Sequence, residues 1–224
     1  RVCYVPYYSL PMVNEPGTVG VAPHLYTQRS HQLASLIFTQ DASVHEAYAS
    51  TERGNSHVHL VGTPKIDALF AQAEAGKEFW PIAAGAAAGT GSGSERNSRI
   101  VWAPHHSYSP AWLNFGVFTE VHEQMLAFAR SYPDVDVVLR PHPFLFGTMV
   151  DRGQLAAEHL EAWLKAWNQL PNTALDADST YAEVFLATDL LYTDGISFLG
   201  EYPLVTGKPA VFHEKTDHWS FAPI

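Results

Sequence analysis

Short apolar runs and amphipathic stretches alternate along the whole chain. Such alternation is typical of βα units built around a mostly parallel sheet. Strands are predicted at residues 2–7, 36–39, 57–61, 100–103, 135–140, 173–175, 190–193 and 210–213. Helices with one apolar face are predicted at residues 43–50, 66–75, 118–131, 154–168, 181–188 and 197–205. The pattern predicts an α/β fold with a doubly wound, Rossmann-type parallel sheet.

A stretch rich in Gly, Ala and Ser interrupts this pattern at residues 83–98. It holds no large apolar side chain to bury, so it is predicted to be a flexible connector. Residues 1–82 offer three candidate strands and are predicted to be the C-terminal part of a Rossmann-like domain. Residues 99–224 offer five strands and are predicted to form a nucleotide-binding domain. Because Arg1 directly precedes an apolar run and Ile224 directly follows a strand-and-loop pattern, we expect a fragment of a longer protein with a truncated second domain.

Composition excludes several classes of partner. The 224 residues carry a net charge of −10 with 13 Lys and Arg, which argues against a nucleic-acid-binding surface. The one cysteine, Cys3, cannot form an internal disulfide, so a reducing compartment is expected. No run approaches the roughly 20 apolar residues that span a bilayer. We expect a cytoplasmic protein, with any attachment to the inner face of the membrane made through regions outside this chain.

The sharpest local motif is the apolar strand that ends in Arg140, Pro141, His142 and Pro143. Ligands of open α/β sheets bind beyond the carboxyl ends of the strands, so both Arg140 and His142 are predicted to lie at the ligand edge. Arginine suits a diphosphate, and histidine can add proton transfer. The alternative is a solvated arginine beside a structural histidine.

A second motif, Thr193, Asp194, Gly195 and Ser197, follows an apolar strand and opens a helical pattern. A strand, a tight turn and a helix N-terminus together present backbone N–H groups and a hydroxyl to an anion, which predicts a phosphate site. The alternative is an ordinary turn with an N-cap residue.

A third motif, His105, His106 and Ser107, also follows a predicted strand and suggests contact with a substrate at the same edge. The alternative is a satisfied loop histidine. Neighbouring residues of an extended segment point to opposite sides, so a metal site is not expected here. His122 and His159 fall within predicted helices and are interpreted as surface or packing residues.

These motifs, in this order, resemble the C-terminal domain of the CDP-glycerol glycerophosphotransferase family, which builds teichoic-acid-like or capsular polymers. The resemblance covers residues 59–67, 100–107, 138–143 and, most specifically, 179–212. It implies a GT-B fold of two Rossmann-like domains, with residues 1–82 on the acceptor side.

The resemblance also implies roles for individual residues. Arg140 and His142 match the family's Arg-x-His element, whose histidine is implicated in catalysis at the donor diphosphate. Thr193 and Ser197 match hydroxyl positions that contact phosphate, with Asp194 and Gly195 between them. Glu201 matches an acidic position that contacts the nucleotide or the donor glycerol. The family's catalytic histidine of the N-terminal domain has no direct match, and His24 is the nearest candidate by position.

The implied reaction transfers glycerol phosphate from CDP-glycerol to an acceptor hydroxyl on a polyol phosphate or glycan, with CMP as leaving group. A helix N-terminus, hydroxyls and Arg140 could stabilise the developing charge, so no metal or other cofactor is expected. Two alternatives stay open: a GT-B glycosyltransferase that uses a sugar nucleotide, and a non-catalytic nucleotide-binding module.

Overall fold

A computed structural model describes residues 2–6, 13–14, 23–83, 97–178 and 180–221. The strands are β1 Cys3–Tyr4, β2 Val13–Asn14, β3 Leu36–Thr39, β4 Val58–Leu60, β5 Ser98–Ala103, β6 Val135–Leu139, β7 Thr173–Leu175, β8 Leu190–Thr193, β9 Ala210–Phe212 and β10 Ser220–Phe221. The helices are α1 Arg29–Leu33, α2 Ala42–Ala49, α3 Pro64–Glu74, α4 Phe118–Ser131, α5 Leu145–Asp151, α6 Ala157–Asn168, α7 Ala182–Ala187 and α8 Ile196–Thr206. Residues 84–96 of the predicted connector lie outside the described residues, so the flexible connector remains a prediction.

The larger sheet is parallel throughout, in the order β7-β6-β5-β8-β9. The chain starts this sheet at β5, moves outward to β6 and β7, and then returns to the other side of β5 for β8. This is the Rossmann order, and it places a topological switch point between β5 and β8, where ligands of such sheets bind.

Side chains alternate between the two faces of the larger sheet, and each face has its own apolar cluster. Trp102 faces α4 and α6, where it packs with Phe118, Trp163 and Trp167. Its neighbour Val101 joins the opposite cluster, which includes residues of α7 and α8. Because both faces of the central strands are covered, β5, β6 and β8 are mainly apolar runs, as the sequence pattern predicts, whereas the edge strands β7 and β9 leave Leu175 and Val211 exposed.

The smaller sheet is also parallel, in the order β1-β3-β4, and its core includes Ile37, Val44, Tyr48 and Val58. A separate two-stranded antiparallel sheet pairs β2 with β10.

The helix α3 directly follows β4 of the smaller sheet but contacts α7 and α8 of the larger one. Lys65 of α3 forms an ion pair with Glu201 of α8, with 2.7 Å between Nζ and Oε1. Further along, the Trp80 indole N–H donates to Asp136 Oδ2 at 2.9 Å, and Ile82 enters the core of the larger sheet. Residues 64–82 therefore pack with the larger sheet, although the sequence grouped them with the first segment. The domain boundary at residues 82 and 83 remains a prediction.

Several elements were missed by the sequence pattern. The predicted helix at residues 154–168 begins only at Ala157, and α5 precedes it as a separate short helix. α5 contains Gly147 and has weak intrinsic propensity, so tertiary burial of Leu145 and Met149 stabilises it. α1 is five residues long and mostly polar, and β2 and β10 are two residues each.

Among the helices of the described ranges, none is both long and apolar enough to cross a bilayer.

A buried asparagine joins the C-terminal end of α4 to the start of β6. The amide Nδ2 of Asn172 donates to the carbonyl oxygens of Ala129, Tyr132 and Val135 at 2.9, 3.1 and 2.9 Å. We expect Asn172→Ala to lower the free energy of unfolding by about 1–3 kcal/mol, because buried carbonyl groups lose their donor. Denaturant unfolding measures this, with the exposed Asn168→Ala as the matched control. Equal stabilities of the two variants would contradict the assignment.

Candidate functional site

The carboxyl ends of β5 and β8 lie side by side at the switch point, where Ala103 pairs with Thr193. The loop after β5 carries His105, and the turn after β8 leads into α8. The loop after β6 brings His142 to the same edge, where its backbone N–H donates to Pro104 O at 3.0 Å. The structure therefore brings together all three motifs that the sequence placed at the ligand edge.

Asp194 connects the loop after β5 to the segment before α4 through hydrogen bonds of its side chain. Its side chain is buried, with Oδ1 accepting the backbone N–H of His105 at 2.5 Å and Oδ2 accepting that of Val117 at 2.7 Å. Burial raises the pKa of Asp194 to about 7, opposed by these two hydrogen bonds and by Lys215. Both oxygens bind protein groups, so Asp194 positions the loops around it.

The hydroxyl of Thr193 is also used inside the protein. It donates to Ala103 O at 2.7 Å and accepts the N–H of Gly195 at 2.9 Å, and the residue is buried. This pair of bonds shapes the turn, and direct contact of Thr193 with phosphate finds no support in this geometry.

The N-terminus of α8 remains available to a ligand. Gly195 precedes the helix and makes no side-chain cap. The N–H groups of Ile196, Ser197 and Phe198 stand in the first turn, where helical N–H groups have no intrahelical acceptor. Within the described ranges they have no other acceptor either, and Ser197 adds a half-buried hydroxyl. This end of α8 can therefore bind an anion.

Three histidines lie next to that helix end. A Cβ atom added at Gly195 would lie 3.4 Å from His105 Cδ2, so the His105 ring rests on the turn before α8. The rings of His106 and His142 stack with centroids 3.7 Å apart, and the His105 centroid lies 4.6 Å from His106 and 5.5 Å from His142. The predicted substrate-edge residues and the predicted catalytic His142 thus form one cluster.

Hydrogen bonds from the protein determine which ring nitrogen of His105 and His142 carries the proton. His105 Nδ1 accepts the Ser107 N–H at 3.2 Å and lies 2.8 Å from the Ser107 hydroxyl, which itself accepts the Phe115 N–H at 2.9 Å. His142 Nδ1 accepts the Phe144 N–H at 3.2 Å. A neutral ring whose Nδ1 accepts must carry its proton on Nε2, so both rings present an Nε2–H donor.

Burial keeps all three rings neutral. It lowers the pKa of His105 to about 3, with smaller contributions from His106 and His142. It lowers the pKa of His142 to about 4, with His106 contributing, and it also lowers the pKa of His106, with Arg152 contributing. The site therefore offers uncharged donors at neutral pH. His106 Nδ1 is buried without a hydrogen-bond partner in the described part of the chain.

Arg140 lies behind this cluster and not in it. Its guanidinium is buried and forms an ion pair with Asp176, donates to Asp178 O at 2.6 Å, and stacks over Tyr181 at 5.3 Å. The predicted contact between Arg140 and a diphosphate therefore finds no support in this geometry. Asp176 was missed by sequence reasoning, although it directly follows β7 at the same sheet edge, and that position was the available signal.

Glu201 binds residues outside the histidine cluster, and His24 belongs to a separate short helix. Glu201 is fully buried, with Lys65 bonded to Oε1 and the Tyr181 hydroxyl donating to Oε2 at 2.6 Å. A direct contact of Glu201 with nucleotide finds no support in this enclosed arrangement. His24 is exposed in a 3-10 helix at Pro23–Tyr26. Its catalytic role remains a prediction.

Comparison with solved structures supports the fold. A UDP-GlcNAc 2-epimerase from Neisseria meningitidis bound to UDP-GlcNAc matches 86% of this chain and 48% of its own, at 15% identity and a TM-score of 0.52. The S. aureus MnaA–UDP structure matches 86% and 47%, at 13% identity and a TM-score of 0.50. The H444N variant of the wall teichoic acid polymerase TagF matches 92% and 47%, at 16% identity and a TM-score of 0.45.

No protein-family model matches the sequence, and no curated protein matches it. The chain spans about half the length of the solved structures it resembles. At these identities the similarity shows the fold alone, and it confirms the predicted Rossmann-type, GT-B-like α/β architecture.

The buried ion pair predicts what loss of Arg140 does. We expect Arg140→Ala to lower the free energy of unfolding by about 3–5 kcal/mol, because Asp176 stays buried without its cation. The double variant Arg140→Met, Asp176→Leu should recover much of that loss, since no unpaired charge remains. Urea unfolding of both variants measures the difference. Additive losses in the double variant would contradict the pairing.

The neutral histidines predict that the rings of His105 and His142 titrate well below pH 6.5. Their folded pKa values lie below the value of about 6.5 in an unfolded chain, so their contribution to stability is complete above pH about 6.5 and is lost as the pH falls. We expect the ring signals of His105 and His142 to keep neutral-tautomer shifts at pH 5.5 in nitrogen-detected NMR. Asp194 acts in the opposite direction on stability, because its folded pKa of about 7 lies above its ordinary value, so the NMR titration and not the thermal midpoint is the measurement that decides. Titration of both rings near pH 6.5 would contradict this assignment.

Proposed function

We propose that this chain forms the donor-binding part of a transferase that uses a nucleotide diphosphate and holds the donor phosphates at the N-terminus of α8. One observation carries the proposal: the free N–H groups at Ile196, Ser197 and Phe198 adjoin a cluster of neutral histidines. Helix N-termini bind phosphate through such N–H groups and the helix dipole.

The histidine cluster supplies further donors to the same region. His105 and His142 each have Nε2–H as the donating atom, and a neutral imidazole N–H donates a hydrogen bond without surrendering its proton. His142 therefore suits stabilisation of charge on phosphoryl or leaving-group oxygens better than it suits a general base. The buried Arg140 acts indirectly in this proposal, as support for the segment that carries His142.

The donor class has two candidates. The sequence resemblance favours CDP-glycerol, with transfer of glycerol phosphate to an acceptor hydroxyl and release of CMP. The two solved structures with TM-scores of 0.52 and 0.50 hold UDP-GlcNAc and UDP, and this favours a sugar nucleotide as the second candidate. Both candidates share a pyrophosphate, which the end of α8 would bind. We assign the acceptor side to residues 1–82 together with regions outside this chain.

Calorimetric titration with CDP-glycerol, CDP, UDP-GlcNAc and UDP tests the donor site directly. We expect one of the two donors to bind, and Ser197→Asp to abolish binding because its carboxylate would face the phosphates. Ser43→Asp is the matched control, since Ser43 is the second residue of the unrelated helix α2, as Ser197 is of α8. Unchanged affinity in a folded Ser197→Asp variant would remove α8 from the site.

Turnover by the full-length protein tests the role of His142. We expect His142→Ala to lower kcat by about 10²–10³, the usual loss when one preorganised donor is removed. His142→Gln should retain more activity than His142→Ala, because its amide N–H₂ stands near the position of Nε2–H. Equal and complete losses in both variants would favour proton transfer, and wild-type turnover in both would remove His142 from catalysis. Donor binding without any turnover by the unaltered protein would favour a non-catalytic nucleotide-binding module.

A further inference from the structure

A second side-chain cluster lies between α4 and α6, apart from the three histidines of the candidate site. His122 and Glu123 come from the second turn of α4, and His159 comes from the first turn of α6. The Nε2 atoms of His122 and His159 are 3.3 Å apart, and Glu123 Oε1 lies 3.1 Å from His159 Nε2 and 3.6 Å from His122 Nε2. Three ligand atoms of two kinds thus form a nearly equilateral triangle.

The dimensions of this triangle match a tetrahedral metal site. Zinc binds histidine nitrogen and carboxylate oxygen at about 2.0–2.2 Å, which places the ligand atoms of a tetrahedron about 3.3–3.6 Å apart. The observed separations of 3.1, 3.3 and 3.6 Å lie close to that range. A small shift of the Glu123 side chain would complete the fit, because that side chain is 57% exposed and free to move.

His122 is already in the state that a metal requires. Its Nδ1 lies 3.1 Å from Phe118 O, and a carbonyl oxygen can only accept, so Nδ1 carries the proton and Nε2 offers a lone pair. A hydrogen bond from the second ring nitrogen to a backbone carbonyl is the usual support of a metal-binding histidine. Stacking on Phe118 and an edge contact with Trp163 fix the ring plane. His122 is thus buried, oriented and deprotonated at the correct atom.

His159 can supply the second lone pair at little cost. Its side chain is half exposed, so its proton can move to Nδ1 and face water while Nε2 turns to the metal. Glu123 brings one negative charge to the ion.

We propose that His122, Glu123 and His159 bind one divalent transition-metal ion of zinc-like preference, with a fourth position open to water. Two imidazoles and one carboxylate favour such an ion over the hard cations Mg²⁺ and Ca²⁺, which prefer oxygen ligands throughout. The ion ties the N-terminal parts of α4 and α6 together on the outer face of the larger sheet. This site goes beyond the proposed transferase function. It would add metal binding to the packing role of the buried His122 and to the surface position of His159.

Metal titration of the chain, prepared without a polyhistidine tag and treated with a chelator, tests the proposal. We expect one equivalent of Zn²⁺ to bind by calorimetry and to raise the thermal midpoint, and Co²⁺ to give the visible absorption of a tetrahedral complex. An excess of Mg²⁺ should not compete. His159→Ala and Glu123→Gln should each weaken Zn²⁺ binding, the histidine variant by at least about 100-fold.

Both variants change exposed side chains and leave the buried His122 in place, so loss of folding does not confuse the result. Glu158→Gln, one position before His159, and His59→Asn, on the exposed face of β4, are the matched controls and should bind Zn²⁺ as the wild type does. Failure of the wild type to bind one equivalent of Zn²⁺ would overturn the proposal. Binding that survives in both His159→Ala and Glu123→Gln would overturn it equally, because the ion would then lie elsewhere.

Discussion

The buried carboxylate of Asp194 holds together the segments that form the ligand edge. It sits at the end of β8 and accepts N–H groups from the loop after β5 and from the residue that precedes α4. In the part of the chain that the structure describes, those two N–H groups have no backbone acceptor, so the carboxylate also satisfies groups that would be costly to bury alone. The position of His105, and through ring contacts that of His106 and His142, depends on this anchor.

The edge that results would attract an anion mainly through oriented dipoles, with Arg152 near enough to His106 to lower the pKa of that ring. The charge of Arg140 is neutralised in its ion pair with Asp176, and burial keeps the rings of His105 and His142 uncharged. What remains are oriented dipoles: the end of α8 and ring N–H groups fixed by backbone donors. Such dipoles need no reorganisation when charge develops, and this is the property that makes a preorganised polar site effective.

Much of the fold could be predicted, because the strands of the larger sheet are continuous apolar runs and α4 and α6 have clear apolar faces. β7 and β8 match their predicted ranges, and so does α4. The short elements α1 and α5 carry too weak a periodic signal, and the pairing of β2 with β10 joins segments about two hundred residues apart. The placement of the three motifs at one sheet edge could be predicted from strand ends alone, and the structure brings His105 and His142 together there. The ion pairs could not be predicted from the sequence. The partner of Arg140 depends on β7 lying beside β6, and the burial of Glu201 depends on where α3 packs.

The path of α3 affects how the molecule can be divided. In sequence the natural place to cut is the Gly- and Ala-rich stretch, yet a cut there would separate α3 from the helices it covers. The larger half would then keep Glu201 without Lys65 and expose apolar surface near Phe185 and Tyr202. A piece meant to fold autonomously should instead start ahead of Pro64, close to Gly62, where the backbone takes a left-handed turn and no side chain crowds it.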